Sequence, residues 1–216
     1  MTGLIMKDSL VMRKTLKSYL LIMVLYAVLA CLDVLNFGFI ITFIQVMLMV
    51  LPITAFAYDE QAKWDRYAMS LPLGRSRVVG ARYLFVLALA LCTFSLGLFG
   101  TAFIHLLQQE NLMEMLLTLM VSATIGLLIP AILLPLCYKL GAERARPYLY
   151  AIIFIPTIAI VLLAKAELLD FSALNRFETL PPSVVVGGAA LLPLAGLVLL
   201  FVSYLISCRV VAGKEY

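Results

Sequence analysis

Residues 18–58 read SYLLIMVLYAVLACLDVLNFGFIITFIQVMLMVLPITAFAY, forty-one residues with a single charge, Asp33. A soluble core does not need an uncharged run of this length. A bilayer does, because one helical crossing of a hydrocarbon core about 30 Å thick takes roughly 20 residues. The run is too long for one ordinary crossing and suits two, joined by a tight turn near residues 33–38. Asp33 decides where the chain turns. A carboxylate at mid-membrane costs about 2.5–3.5 kcal/mol on insertion scales, whereas at a helix end it reaches water. The first crossing is therefore expected over 18–35 and the second over 38–57.

The same reading extends down the chain. Further uncharged stretches predict crossings at 83–105, 115–137, 148–164 and 183–207, which makes six. With 64% hydrophobic residues and a mean hydropathy of +1.10, the composition lies far outside the roughly 45–50% apolar usage of soluble domains. A membrane β-barrel would show alternating segments of about 10 residues, and none is present. The expected fold is a single all-α polytopic transmembrane domain over 1–216. Its loops are short, 106–114 and 165–181 on one side and 58–82 and 138–147 on the other, with no room for an attached soluble domain.

Charge orients the bundle. Fourteen of the sixteen Lys and Arg residues fall in four polar segments: the amino terminus (Lys7, Arg13, Lys14, Lys17), residues 58–82 (Lys63, Arg66, Arg75, Arg77, Arg82), residues 138–147 (Lys139, Arg144, Arg146) and the tail (Arg209, Lys214). Lys165 and Arg176 are the exceptions. Placing the four segments in the cytoplasm gives a charge of +8 inside against −4 outside, together the stated +4. The positive-inside rule applies to short loops such as these, so both termini are expected to be cytoplasmic. That topology requires an even number of crossings, which six satisfies. The pI of about 8.9 is thus a topological signal and not a nucleic-acid footprint, since no basic stretch is interleaved with exposed aromatics. Nor is the amino terminus a cleavable signal, because no small-residue cleavage site follows Tyr19–Leu32.

Little in the chain suggests chemistry. Cys31, Cys92, Cys137 and Cys208 stand alone in or beside apolar segments and read as small hydrophobes. His105 has no His or Cys at ligand spacing, so no metal site is expected. The absence of GxxxxGK[ST] excludes a P-loop ATPase within this chain. Pro52, Pro130, Pro135, Pro156 and Pro193 fall inside or near crossings, where each removes a helical hydrogen bond. They read either as ordinary membrane-helix composition or as hinges. Ser95, Gly97, Gly100, Gly187, Gly188 and Gly196 suit close helix packing. Thr42, Gln45, Thr54, Thr93, Ser95, Thr118, Ser122, Thr124 and Thr157 are the polar residues available to line a path, or to satisfy packing.

Two polar segments are more than loops. In residues 4–17 and just beyond, Ile5, Met12, Leu16 and Tyr19 can share one stripe, with Lys7, Arg13, Lys14 and Lys17 around the sides. This predicts a basic helix lying in the membrane surface with its cations toward anionic lipid, or else a simple charged anchor. In residues 58–71, Trp64, Tyr67, Ala68 and Leu71 recur at the helical period. Asp59, Glu60, Lys63, Asp65 and Arg66 cover the rest, with one favourable i,i+4 pair, Asp59 to Lys63. Such a helix either lies on the bilayer or presents a surface to a soluble partner. Leu71-Pro72 ends it, and Arg75, Arg77 and Arg82 read as interfacial anchors at the entry to the third crossing.

The stretch from Phe56 to Tyr83, FAYDEQAKWDRYAMSLPLGRSRVVGARY, resembles the first cytoplasmic loop of small bacterial ABC-2 type transporter permeases, including those of antimicrobial-peptide resistance and toxic-peptide export systems. The acidic pair Asp59-Glu60, the Trp64-centred helix, Leu71-Pro72 and the basic turn Arg75 to Arg82 carry the likeness. The resemblance implies a permease in the bacterial cytoplasmic membrane that dimerises, with a second copy or a related permease, and works with a separate ATP-binding-cassette ATPase. It also implies that the loop helix is a coupling helix seated on that ATPase, through Asp59, Glu60, Lys63, Trp64, Arg66 and Tyr67. Residues 4–17 would be a connecting helix, and the 165–181 segment a short outer gate. ATP and magnesium would be bound by the partner; this chain would be no enzyme. An apolar set of crossings implies an amphipathic peptide, antimicrobial or lipid-like cargo. A stand-alone secondary transporter lacks the intramembrane acids it would need, and a non-transporting scaffold or sensor is the other alternative.

Overall fold

The computed structural model describes residues 2–32, 37–64, 67–68, 74–108, 111–166 and 182–213. The described secondary structure is helical: α1 Thr2–Val11, α2 Arg13–Cys31, α3 Phe37–Gln61, α4 Arg75–Gln108, α5 Leu112–Leu140, α6 Ala142–Lys165 and α7 Pro182–Ala212. Helices dominate because lipid offers the backbone no hydrogen-bond partner, so each spanning segment must satisfy its own. α3 to α7 run longer than the apolar stretches read from sequence, since their polar ends continue the helix beyond the lipid-facing part.

Five helical spans among the described residues are long and apolar enough to cross a membrane: Ile40–Gln61, Ser76–Leu106, Leu112–Leu140, Ala142–Lys165 and Gly187–Ala212. Six were expected. The expected crossing outside this set is the first, most of which lies in α2. Arg13, Lys14 and Lys17 occupy its first turns, leaving about 14 apolar-rich residues, which at 1.5 Å per residue span about 21 Å. The turn expected at Asp33 lies outside the described residues, as does most of the 165–181 segment.

α5 is the hub, packing against α3, α4, α6 and α7, with α7 its largest partner. Small residues permit this closeness. A Cβ on Gly196 of α7 would lie 3.1 Å from Leu127 Cβ, and one on Gly97 of α4 would run into the Leu119 side chain. Gly187 and Gly188 face open space, so of the glycines assigned to packing only some do it. α6 is the outlier: Ala142 and Ala145 in its first turn are buried, yet from residue 153 onward every described side chain on it is exposed.

The main core gathers at one end of the bundle. Ile53, Phe56, Val79, Tyr83, Leu134, Cys137, Ala145 and Val211 belong to one buried cluster, formed by the carboxyl ends of α3, α5 and α7 and the amino ends of α4 and α6. Within it the Tyr83 hydroxyl meets Ser203 Oγ and Ser207 Oγ, both at 2.7 Å. α1 joins the same end through contacts with α3 and α4. The described parts of the four basic segments therefore lie toward one end of the bundle.

Candidate functional site at the basic end of the bundle

Chain geometry brings together four charges from three helices. α3 does not stop at Ala57 but carries its helix through Asp59 and Glu60 to Gln61. Ala62 and Lys63 then turn the chain, Lys63 with φ of 51°. Asp59 is 6% exposed and accepts hydrogen bonds from Lys7 Nζ at 2.8 and 3.1 Å. Its second partner is the guanidinium of Arg82, through Nη2. Arg82 also pairs with Asp8 through Nη1 at 3.2 Å, and Lys7 pairs with Asp8 at 2.9 Å. Two cations and two carboxylates thus form a neutral tetrad, Lys7, Asp8, Asp59 and Arg82.

The surroundings reinforce it. The Arg82 guanidinium lies over the Phe56 ring at 4.7 Å, and Lys7 Nζ over the Trp64 ring at 4.3 Å. Both contacts are cation–π interactions, which gain strength as water is removed. Arg82 suits the centre, because its rigid fork serves two carboxylates at once, which a lysine ammonium does less well. Burial this deep is tolerable because the cluster sums to zero charge and each carboxylate has two cations.

Glu60 points the other way. Its Oε2 accepts from the Ala142 backbone N–H at 2.8 Å, so a carboxylate on α3 caps the amino terminus of α6, where the helix dipole favours negative charge. Gly141 makes the turn between α5 and α6 with φ of +89°, a region open to glycine and costly for other residues. A Cβ there would also sit 2.8 Å from Glu60 Oε1. The adjacent acids Asp59 and Glu60 accordingly fasten α3 to opposite sides of the bundle.

Several expectations change against this geometry. Lys7 is not a lipid-facing cation; it is held inside the tetrad. Arg82 is not an interfacial anchor; it is buried, 6% exposed. Asp59 pairs with Lys7 and Arg82, not with Lys63 one turn on, because the helix ends between them. The stripe of Met12, Leu16 and Tyr19 faces protein: Met12 is fully buried against Leu51, Ala55 and Phe85, with Leu16 and Tyr19 packed beside it. Arg13, Lys14, Lys17, Lys63 and Arg77 are exposed. Trp64 and Tyr67 meet with ring centroids 5.2 Å apart; Trp64 is half-buried, Tyr67 exposed and Ala68 buried. Arg66, Leu71 and Pro72 lie outside the described residues, and the Arg75 side chain is likewise not described.

Asp8 is the residue that sequence reasoning missed. It sits within the predicted basic helix 4–17, where only the cations and the apolar stripe carry an expected role. The available signal was an acid beside Lys7 on the face that Met12 shares four residues on.

A family model described as an ABC-2 family transporter protein matches residues 3–212. The chain belongs to that family. No curated protein matches it, and no solved structure does. As an ABC-2 permease it is a membrane subunit of an ABC exporter, a multi-pass protein of the bacterial membrane, and family membership implies pairing with an ATP-binding-cassette ATPase.

The permease's intramembrane polar residues divide sharply. Thr42, Thr54, Thr93, Ser95, Thr118, Ser122, Thr124 and Thr157 each donate to a carbonyl three or four residues back in their own helix. This is the packing role. Gln45 differs: it is 6% exposed, and its amide makes no hydrogen bond among the described residues.

Proposed function

We propose that this permease is one half of an ATP-driven exporter in which the tetrad end of the bundle receives the ATPase stroke. In this reading α2 supplies a sixth crossing, with Lys14 and Lys17 snorkelling to the interface, and both termini are cytoplasmic. The permease pairs with a second copy or a related permease, and its cargo is an amphipathic peptide, antimicrobial or lipid-like molecule.

One observation carries the coupling assignment. The segment after Gln61 emerges from a helix end that is tied to α1 and α4 through Asp59 and to α6 through Glu60. Force on Trp64 and Tyr67 would therefore reach four helices together. The proposed division of labour is that Lys63, Trp64, Arg66 and Tyr67 meet the ATPase, while Asp59 and Glu60 transmit. Nucleotide-driven closure of the partner would bias the bundle between two states, as any ligand with unequal affinity for two states does.

The test is co-purification in mild detergent from native cells, comparing the wild type with Trp64→Ala/Tyr67→Ala. Recovery of an ATP-binding subunit with the wild type and its loss from the double variant is expected. Equal recovery with both would move the ATPase contact away from this loop. No recovery with either, from folded protein, would favour a lone transporter or a scaffold.

A further inference from the structure

A cavity of 360 Å³ lies midway along α3, α4, α5 and α7, and none of the tetrad residues lines it. Its size falls within the range of small-molecule pockets, about 300–1,000 Å³. Among the described residues, no charged one lines it. Three prolines do, Pro52 of α3, Pro130 of α5 and Pro193 of α7, so three continuous helices each lack one backbone hydrogen bond beside the same space. A proline removes the hydrogen bond to the carbonyl four residues earlier. For Pro130 that carbonyl is on Gly126, which lines the cavity itself. Gln45 completes the wall, a buried amide without a described partner. Within lipid such a group is costly unless something in the cavity bonds it.

The access route is also visible. Leu91 and Leu194 line the cavity and are 57% and 55% exposed, so it opens on the apolar flank of α4 and α7. An occupant entering between them would come from the hydrocarbon side. The lining has room for an aliphatic or aromatic body, and it has one amide, with a freed carbonyl nearby, to orient a polar group.

We propose that this cavity is a binding site for an uncharged, membrane-partitioned amphiphile, a hydrophobic body bearing one hydroxyl or amide group hydrogen-bonded to Gln45. The assignment rests on the exporter reading for its meaning as a cargo site, and it sharpens the cargo class: neutral, entering laterally, and small enough to sit within one permease. A hydrophobic peptide would engage it by a single side chain or terminus.

Photolabelling of the purified permease alone in nanodiscs tests this, using diazirine probes of equal chain length: a long-chain alcohol, the matching alkane and the matching quaternary ammonium. The alcohol is expected to label peptides containing residues 86–94, 120–130 and 190–197, well above the alkane, with the ammonium lowest. Gln45→Met, near in shape, should reduce alcohol labelling roughly five- to tenfold, the scale of one lost neutral hydrogen bond, and leave alkane labelling unchanged. Ala123→Phe, which fills the space, should abolish labelling of these peptides by both. Equal labelling by alcohol and alkane that Gln45→Met does not alter would mean that bulk acyl chains fill the cavity, and would overturn the proposal. So would labelling that persists in Ala123→Phe. The measurement needs no ATPase, so its failure leaves the exporter assignment standing, and failure to recover an ATPase leaves the site standing.

Discussion

Removing Arg82 isolates what the tetrad does. In Arg82→Met the apolar stem is nearly kept, but Asp8 and Asp59 lose their shared guanidinium and the cluster passes from neutral to −1. Both carboxylates stay deeply buried, with side chains 6% and 9% exposed, and only Lys7, 22% exposed, remains between them. Breaking a buried pair by deleting one partner costs about 3–5 kcal/mol, and the surviving Lys7 contacts place this case at the low end, about 3 kcal/mol. The cheapest relief is to undock α1, which returns Asp8 to water. At 1.4 kcal/mol per factor of ten, the undocked population should rise roughly 100-fold. Met12, fully buried on the docked face, reports it: with the four native cysteines replaced, Met12→Cys should react with a maleimide roughly 100-fold faster in the Arg82→Met background, provided that docking re-equilibrates faster than labelling. The truncation at position 12 is common to both arms and cancels in the ratio. Arg82→Lys should fall between, keeping charge but losing the fork. Equal labelling rates with and without Arg82 would refute the view that the tetrad fastens α1.

Other positions yield simpler outcomes. Gly141→Ala forces a Cβ onto a φ of +89° and against Glu60 Oε1, and should destabilise by about 1–3 kcal/mol, read as a lower melting temperature in detergent. In a Glu60→Ala background, which has already lost the α6 cap, the further cost of Gly141→Ala should be smaller by the part due to contact, leaving the backbone strain. Gly196→Val should separate α5 from α7 at Leu127 and lower the melting temperature. Gly188→Ala, which meets nothing within 4 Å, should leave it unchanged or raise it slightly, alanine being about 1 kcal/mol the better helix former.

The legible and illegible parts of the permease separate by range. Of the two crossings expected in residues 18–58, the second is a described span, Ile40–Gln61, because a bilayer acts on each helix alone, through length and hydropathy; α2, over the first, is helical but outside that set. The motif from Asp59 to Arg82 was legible as a family likeness for a similar reason, being local, although residues 65–66 and 69–73 of it lie outside the described residues. The partners of its charges were not. Asp59 meets Lys7 across 52 positions and Arg82 across 23, and Glu60 reaches Ala142 across 82. No periodicity encodes such distances.

By itself, then, the sequence determined that the chain is helical and membrane-embedded, since both follow from local composition acting against water and lipid. Only the tertiary structure decided that Lys7 and Arg82 are internal ties, that Met12 faces protein, and that three prolines and Gln45 surround one cavity. Those outcomes depend on which faces meet when helices pack, and a buried charge or amide takes its meaning from the partner that packing supplies or withholds.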